Sequence, residues 1–337
     1  MSKKIYDRNL GYSLLRPIVD WCTKRSYRKL EVRGEENLPA DGAILLAPNH
    51  CNTLMDALVM LQAHKGPTVF GARADMFKRP LIARIMFFLR ILPMVRQRDG
   101  LRNVLKNHES FDTIVETLEH GVRFCMYPEG RHRAVRSLLP LGKGIIRAAV
   151  AANNRFGSER PVYIVPVGIE YGDYFRYRST CLITYGKAIN VTQFIKDLNL
   201  ENEAQVMEPL RKELAERMSE LITYIKDDEN LSEKWSLTQI LSRSFKKGGL
   251  AADLSRNQAI IAQIEAAMEE HPDQMKDLLE RAEEFEEDIE KDNISITSFG
   301  HKWMLFRCIA KGLLAILGLP YFIFSLLASL PVWLTAW

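Results

Sequence analysis

Between residues 29 and 190 the chain alternates short apolar runs with longer stretches in which apolar positions recur every three or four residues. The short runs, at 29–33, 43–47, 68–71, 92–95, 122–126, 162–169 and 181–185, predict strands. The stretches at 53–64, 78–90, 101–119 and 142–154 predict helices with one apolar face. Strands alternating with helices imply an α/β fold, a mixed, largely parallel sheet flanked by helices. From residue 200 the period becomes helical throughout. Val206, Leu210, Leu214, Met218, Leu221 and Ile225 form one stripe, and Ile261, Ile264, Met268, Met275, Leu279, Ala282, Phe285 and Ile289 continue the pattern. This part reads as a helical extension.

The two ends differ in kind. Near the start, Tyr12, Leu14, Leu15, Ile18, Val19 and Trp21 or Cys22 recur at near-helical spacing among Lys and Arg, which predicts a basic amphipathic helix. Such a helix packs on its own domain or lies on an anionic membrane surface. The segment lacks the uninterrupted apolar run of a signal peptide. At the other end, residues 312–337 contain no charged side chain, and about 20 apolar residues suffice to span a bilayer as helix. Pro320 and Pro331 leave a single kinked span and a re-entrant pair of half-helices both open. Lys302, Arg307 and Lys311 precede the run, so the domain before it is expected on the cytoplasmic side. The run reaches the last residue with no polar tail, as expected of a piece of a longer chain. The expected organisation is therefore an N-terminal helix (1–28), an α/β domain (29–200), a helical extension (201–311) and a membrane segment (312–337).

Composition narrows the classes. At 337 residues and 47% hydrophobic, the chain is long and apolar enough for a sizeable core and is not a disordered protein. Cys22, Cys51, Cys125, Cys181 and Cys308 are odd in number and scattered, which fits a reducing compartment rather than a disulfide framework. The net charge of +4 says little, but its distribution says more. Residues 71–98 carry seven Lys or Arg against one acid, and residues 130–147 carry five against none. Residues 267–293 carry twelve acids against three bases. The basic segments are suited to phosphate.

Two motifs carry candidate chemistry. In "LLAPNHCNTLMDALVM" (45–60) a strand ends in Asn49–His50 and runs into a helix, with Thr53 expected as N-cap and Asp56 as its capping-box partner. Capping accounts for Asp56 and leaves His50 unexplained, at a strand end where loops carry binding and catalytic groups. In "VRFCMYPEGRHRAVRSLLPLGKG" (122–144) a strand delivers Tyr127, Pro128, Glu129 and Gly130 to its end, followed by Arg131, His132 and Arg133. The turn permits close backbone approach, the Arg forks suit phosphate, and Glu129 could hold an Arg or hydrogen-bond a hydroxyl. "LGKG" lacks the flanking residues of a nucleotide-binding phosphate loop. The remaining histidines have no metal-ligand spacing, so neither metal nor cofactor is expected.

"NHCNTLMDAL", "LPMVRQRDG", "YPEGRHR" and "YIVPVGI", in this order across residues 49–169, resemble the four sequence blocks of the glycerophospholipid acyltransferase family. The resemblance implies an enzyme that moves a fatty acyl group from an acyl-CoA or acyl-carrier-protein thioester to a hydroxyl of glycerol-3-phosphate or 1-acylglycerol-3-phosphate (lysophosphatidate). It implies His50 as general base and Asp56 as its partner. Arg96, Glu129, Gly130 and Arg131 would bind the acceptor phosphate, and Pro166 would lie on the acyl-donor side. The commonest form of the block has four residues between His and Asp; here five separate His50 from Asp56, as in the glycerol-phosphate and dihydroxyacetone-phosphate acyltransferases of the yeast type. Arg131 and His132 stand where Thr and Arg are commonest.

From the chemistry, a neutral imidazole takes the acceptor proton as oxygen attacks the thioester, and Asp56 fixes its tautomer. Backbone N–H groups at the helix start after His50 are expected to serve the tetrahedral oxyanion. Cys51 offers a rival mechanism through an acylated thiolate. A different class also explains the charge segregation and the terminal run: a non-catalytic, membrane-tethered protein that binds anionic lipid or nucleic acid. It gives no reason for His50 and Asp56, and as an acyltransferase the chain is expected to bind membrane lipid and no nucleic acid.

Overall fold

The computed structural model describes residues 4–64, 66–94, 104–157, 159–198, 203–226, 229–243, 245, 248–292 and 304–336. Helix α1 (Leu10–Ser26) leads into β1 (Tyr27–Arg33). Alternation follows through β2 (Ala43–Pro48), α2 (Thr53–Ala63), β3 (Thr68–Arg73), α3 (Pro80–Phe88), β4 (Ile91–Met94), α4 (Val104–Glu119), β5 (Arg123–Cys125), α5 (Gly144–Phe156) and β6 (Val162–Tyr171). A hairpin to β7 (Ser179–Tyr185) and a short β8 (Ile189–Asn190) complete the strands. Helices α6 (Val191–Leu198), α7 (Glu203–Ser219), α8 (Leu231–Ser242), α9 (Leu250–Glu270), α10 (Pro272–Lys291) and α11 (Met304–Ala336) follow. The mixed, largely parallel sheet and the helical C-terminal part are those expected from the periodicity.

The eight strands form one sheet in the order β1-β7-β6-β2-β5-β3-β4, with β8 on β6. All neighbours are parallel except β6 with β7 and β6 with β8. β2 lies in the middle, and all six of its residues are buried because both faces of the sheet are covered. Leu45 and Ala47 face one core with Phe124, Ile145, Ile146 and Ile164. Ile44 and Leu46 face the other with Val59, Met60, Cys125 and Val165. Strand period two divides "ILLA" between two cores.

Topology places the site. β5 pairs parallel with β2 (Leu45 opposite Phe124, Leu46 opposite Cys125), and β6 pairs parallel on its other side (Ala47 opposite Pro166, Pro48 opposite Val167). Parallel neighbours release their chains at the same sheet edge, so the segments after Pro48 and Cys125 emerge together, beside the last residues of β6. Pro166 is tolerated inside β6 because it falls between the residues that pair with β8 (163–164) and those that pair with β7 (167–171).

Two compact units divide the chain, Met1–Leu279 and Glu280–Trp337. In the first, Arg16 donates to the carbonyl of His64 (2.9 Å) and Tyr12 meets Phe88 edge-on, which fixes α1 against the domain. The outer face of α1 carries Leu10, Leu14, Ile18 and Trp21, all exposed. In the second, α11 is one continuous helix through Pro320 and Pro331, so the re-entrant pair is not formed. Its stretch Cys308–Leu327 is long and apolar enough to cross a membrane, and every side chain from Lys311 to Leu327 is exposed. Lys302 lies outside the described residues.

Candidate active site

β2 ends at Pro48, and Asn49 fastens the turn that follows. Its side-chain amide donates to the carbonyl of Ile169 (3.1 Å) and its Oδ1 accepts from Ile169 N–H (2.6 Å), so Asn49 acts as one more rung between β2 and β6. His50 comes next, 17% exposed at the side chain, with Nδ1 2.7 Å from Oδ2 of the fully buried Asp56. The same Oδ2 accepts the backbone N–H of Cys51 (2.9 Å) and of Asn52 (2.7 Å), and Oδ1 accepts the hydroxyl of Tyr171 (2.9 Å). A carboxylate so buried is stable only with its lone pairs occupied.

This geometry corrects two expectations and narrows a third. The N-cap of α2 is Asn52 rather than Thr53; Asp56 reaches back to the N–H groups of residues 51 and 52, and the turn closes through Thr53 at φ 45°, a left-handed conformation costly for a β-branched residue. Of the N–H groups after His50, those of Cys51 and Asn52 are taken by Asp56, and that of His50 itself by Glu129, so an oxyanion is left those at the first turn of α2. Cys51 is 5% exposed, and burial followed by the charge of Asp56 holds its thiol well above the ordinary range. A buried thiol that resists ionisation is no nucleophile.

Glu129 is brought to His50 through its backbone. Oε1 accepts the His50 N–H (2.7 Å) and Oε2 accepts the Leu139 N–H (2.9 Å), so the carboxylate ties the strand-end loop to its own return segment instead of holding an Arg. Burial raises its pKa, against the pull of those two N–H donors. Gly130 turns at φ 65°, a conformation that favours glycine, and lies exposed with Arg131 and His132. Tyr127 stacks on the His50 ring (centroids 4.2 Å apart) and His132 meets it edge-on at 5.5 Å. Arg133 N–H donates to the His50 carbonyl (3.2 Å). His50, Asp56 and Glu129 thus form one cluster, with Gly130 and Arg131 on the adjoining loop. Pro166 is buried in β6 opposite Ala47, and Arg96 lies outside the described residues.

One basic residue plays a different part from that expected. Arg136 is buried, ion-paired to Glu170 and donating to the Tyr171 carbonyl, with its guanidinium 4.9 Å from the Tyr174 ring and 4.6 Å from Trp235. Glu170 also accepts the Thr223 N–H (3.0 Å). Arg136 therefore clamps the loop to β6 and α8, and its charge is spent internally. Sequence reading missed Arg136 and Glu170 in this role, and Tyr171. A Tyr closing a mostly apolar strand, obliged to find a partner for its hydroxyl, was the available signal for the last.

Residues 29–170 match the family model described as Acyltransferase. A solved structure, the 1-acyl-sn-glycerophosphate (LPA) acyltransferase PlsC from Thermotoga maritima, is similar at 20% identity and a TM-score of 0.43, covering 64% of this chain and 80% of that one. No curated protein gives a match.

Proposed function

We propose, from the match of residues 29–170 to the Acyltransferase family model, that the chain is a glycerolipid O-acyltransferase. It moves a fatty acyl group from an acyl-CoA or acyl-carrier-protein thioester to a hydroxyl of glycerol-3-phosphate or lysophosphatidate. The four blocks quoted above support the glycerophospholipid branch, and the five-residue interval between His50 and Asp56 favours glycerol-3-phosphate as acceptor.

The observation that carries the reading is the His50–Asp56 pair. With Nδ1 held at 2.7 Å by a fixed carboxylate, Nε2 is the nitrogen left to act as base. Nε2 takes the acceptor's hydroxyl proton while that oxygen bonds to the thioester carbonyl carbon. The intermediate then expels the thiolate, which takes the proton from Nε2, leaving an ester and a free thiol. General-base assistance of this kind contributes about 10²- to 10⁴-fold in rate. The scheme calls for no metal and no cofactor. Arg131, and Arg96 with it, supply the positive charge for the acceptor phosphate. α11 anchors the enzyme in the bilayer that receives its product, with the catalytic domain on the cytoplasmic face.

Thiol release from acyl-CoA, measured with each acceptor in turn, tests this. His50→Ala is expected to lose at least about a hundredfold in turnover and Asp56→Asn somewhat less. Near wild-type turnover in His50→Ala defeats the mechanism. A wild-type chain that releases no thiol with either acceptor but binds anionic lipid or nucleic acid returns the non-catalytic reading.

A further inference from the structure

We propose that Tyr171 is a positioning residue for the acyl-transfer base: through Asp56 it fixes the orientation of His50 and tunes its basicity. The inference rests on the acyl-transfer reading above. Asp56 divides its donors unequally. Oδ2 serves His50 Nδ1 and the N–H groups of Cys51 and Asn52, whereas among the described residues the one oxygen or nitrogen donor to Oδ1 is the Tyr171 hydroxyl, at 2.9 Å. The Cys51 thiol, 3.9 Å from Oδ1, is a weak donor at long range. Both Asp56 and Tyr171 are fully buried, so water does not replace the hydroxyl.

Tyr171 is itself held. It is the last residue of β6, paired with Cys181 of β7. Its carbonyl accepts from Arg136, whose partner Glu170 accepts the Thr223 N–H. The clamp thus has a use: it seats the residue that holds the carboxylate that holds the base. Such a chain of buried hydrogen bonds stands or falls together. Burial and the nearby Asp56 charge push the Tyr171 hydroxyl's pKa well up, which keeps it a donor.

The other ionisable groups facing the pair are Tyr27, Tyr174 and the thiols of Cys51 and Cys181 around Tyr171. Tyr127, Glu129 and His132 surround His50. A change confined to the hydroxyl of residue 171 leaves all of these in place. A buried carboxylate deprived of one donor attracts a neighbouring imidazolium more strongly, so His50 would hold its proton to higher pH.

The test is Tyr171→Phe in the full chain, with thiol release followed against pH. Turnover is expected to fall about tenfold to a hundredfold, both KM values to change less than about threefold, and the acidic limb of kcat/KM to move up by about half a pH unit. In an Asp56→Asn background the same change should cost almost nothing further, because the two residues act as a unit. An unmoved limb, or an equal loss in both backgrounds, overturns the proposal and leaves Tyr171 a packing residue. Should Tyr171→Phe not fold, 3-fluorotyrosine at this position, a stronger donor of nearly the same shape, should move the limb down; an unmoved limb again overturns it. An active His50→Ala or an inactive wild type defeats the acyl-transfer reading and this proposal with it. An inactive His50→Ala beside a wild-type-like Tyr171→Phe defeats this proposal alone.

Discussion

The N–H of His50 donates to Oε1 of Glu129 at 2.7 Å, joining two residues 79 positions apart. The other oxygen of Glu129 accepts the Leu139 N–H at 2.9 Å. The carboxylate faces a backbone donor on each side, and an amide has only one oxygen. Glu129→Gln would set an NH₂ group against an N–H. We therefore expect Glu129→Gln to lower kcat by about tenfold to a hundredfold, nearly as far as Glu129→Ala, with a smaller change in acceptor KM. A Gln variant with full turnover would show that Glu129 serves a substrate hydroxyl rather than the loop.

Arg131 and Arg136 stand five residues apart in one basic run and should respond differently. Arg131 is exposed beside the site, so Arg131→Ala should raise acceptor KM about tenfold while kcat and thermal stability hold. Arg136→Ala strands Glu170 in the interior, a loss of about 3–5 kcal/mol. It should lower the Tm of the detergent-solubilised chain and reduce kcat by loosening Tyr171, with little change in acceptor KM. Equal effects of the two substitutions on KM would contradict the assignment.

His64 gives the fold an acid-sensitive point. It is buried with Nδ1 2.7 Å from Arg123 Nη1, and burial, then Arg123, then Arg16 lower its pKa from 6.5 to about 4. The folded state binds the proton less well than the unfolded chain does. The stabilisation is complete above about pH 6.5 and is lost as pH falls through that value toward 4, by about 3 kcal/mol over the window. His64→Gln should flatten this part of the stability profile. Denaturation midpoints at pH 7.5, 5.5 and 4.5 measure it, and parallel profiles for the two proteins would rule it out.

Removing residues after 311 should shift much of the protein from the membrane to the soluble fraction. A part should remain bound reversibly through Leu10, Leu14, Ile18 and Trp21, the exposed stripe of α1. High-salt and alkaline washing of both forms distinguishes the two attachments. A truncated chain that resists washing as the full chain does would show that α11 is not the anchor.

The sequence by itself determined the elements and suggested the reaction class proposed above. Apolar period two and period 3.6 are local properties, so the strands from β1 to β7 and the stripe Val206, Leu210, Leu214 and Met218, now buried, could be read directly. The spacing of His50 and Asp56 is local as well, being one turn into α2. What the fold decided depends on strands distant in sequence. Because β5 and β6 flank β2 in parallel, Glu129 meets the backbone of His50, Tyr171 meets Asp56 and Arg136 meets Glu170. No period in the sequence records which buried donor finds which acceptor. A run of basic residues likewise cannot show which charge faces solvent, as Arg131 does, and which is neutralised inside, as Arg136 is. Those assignments come from burial, where every polar group must find a partner, and the sheet order fixes which partners are within reach.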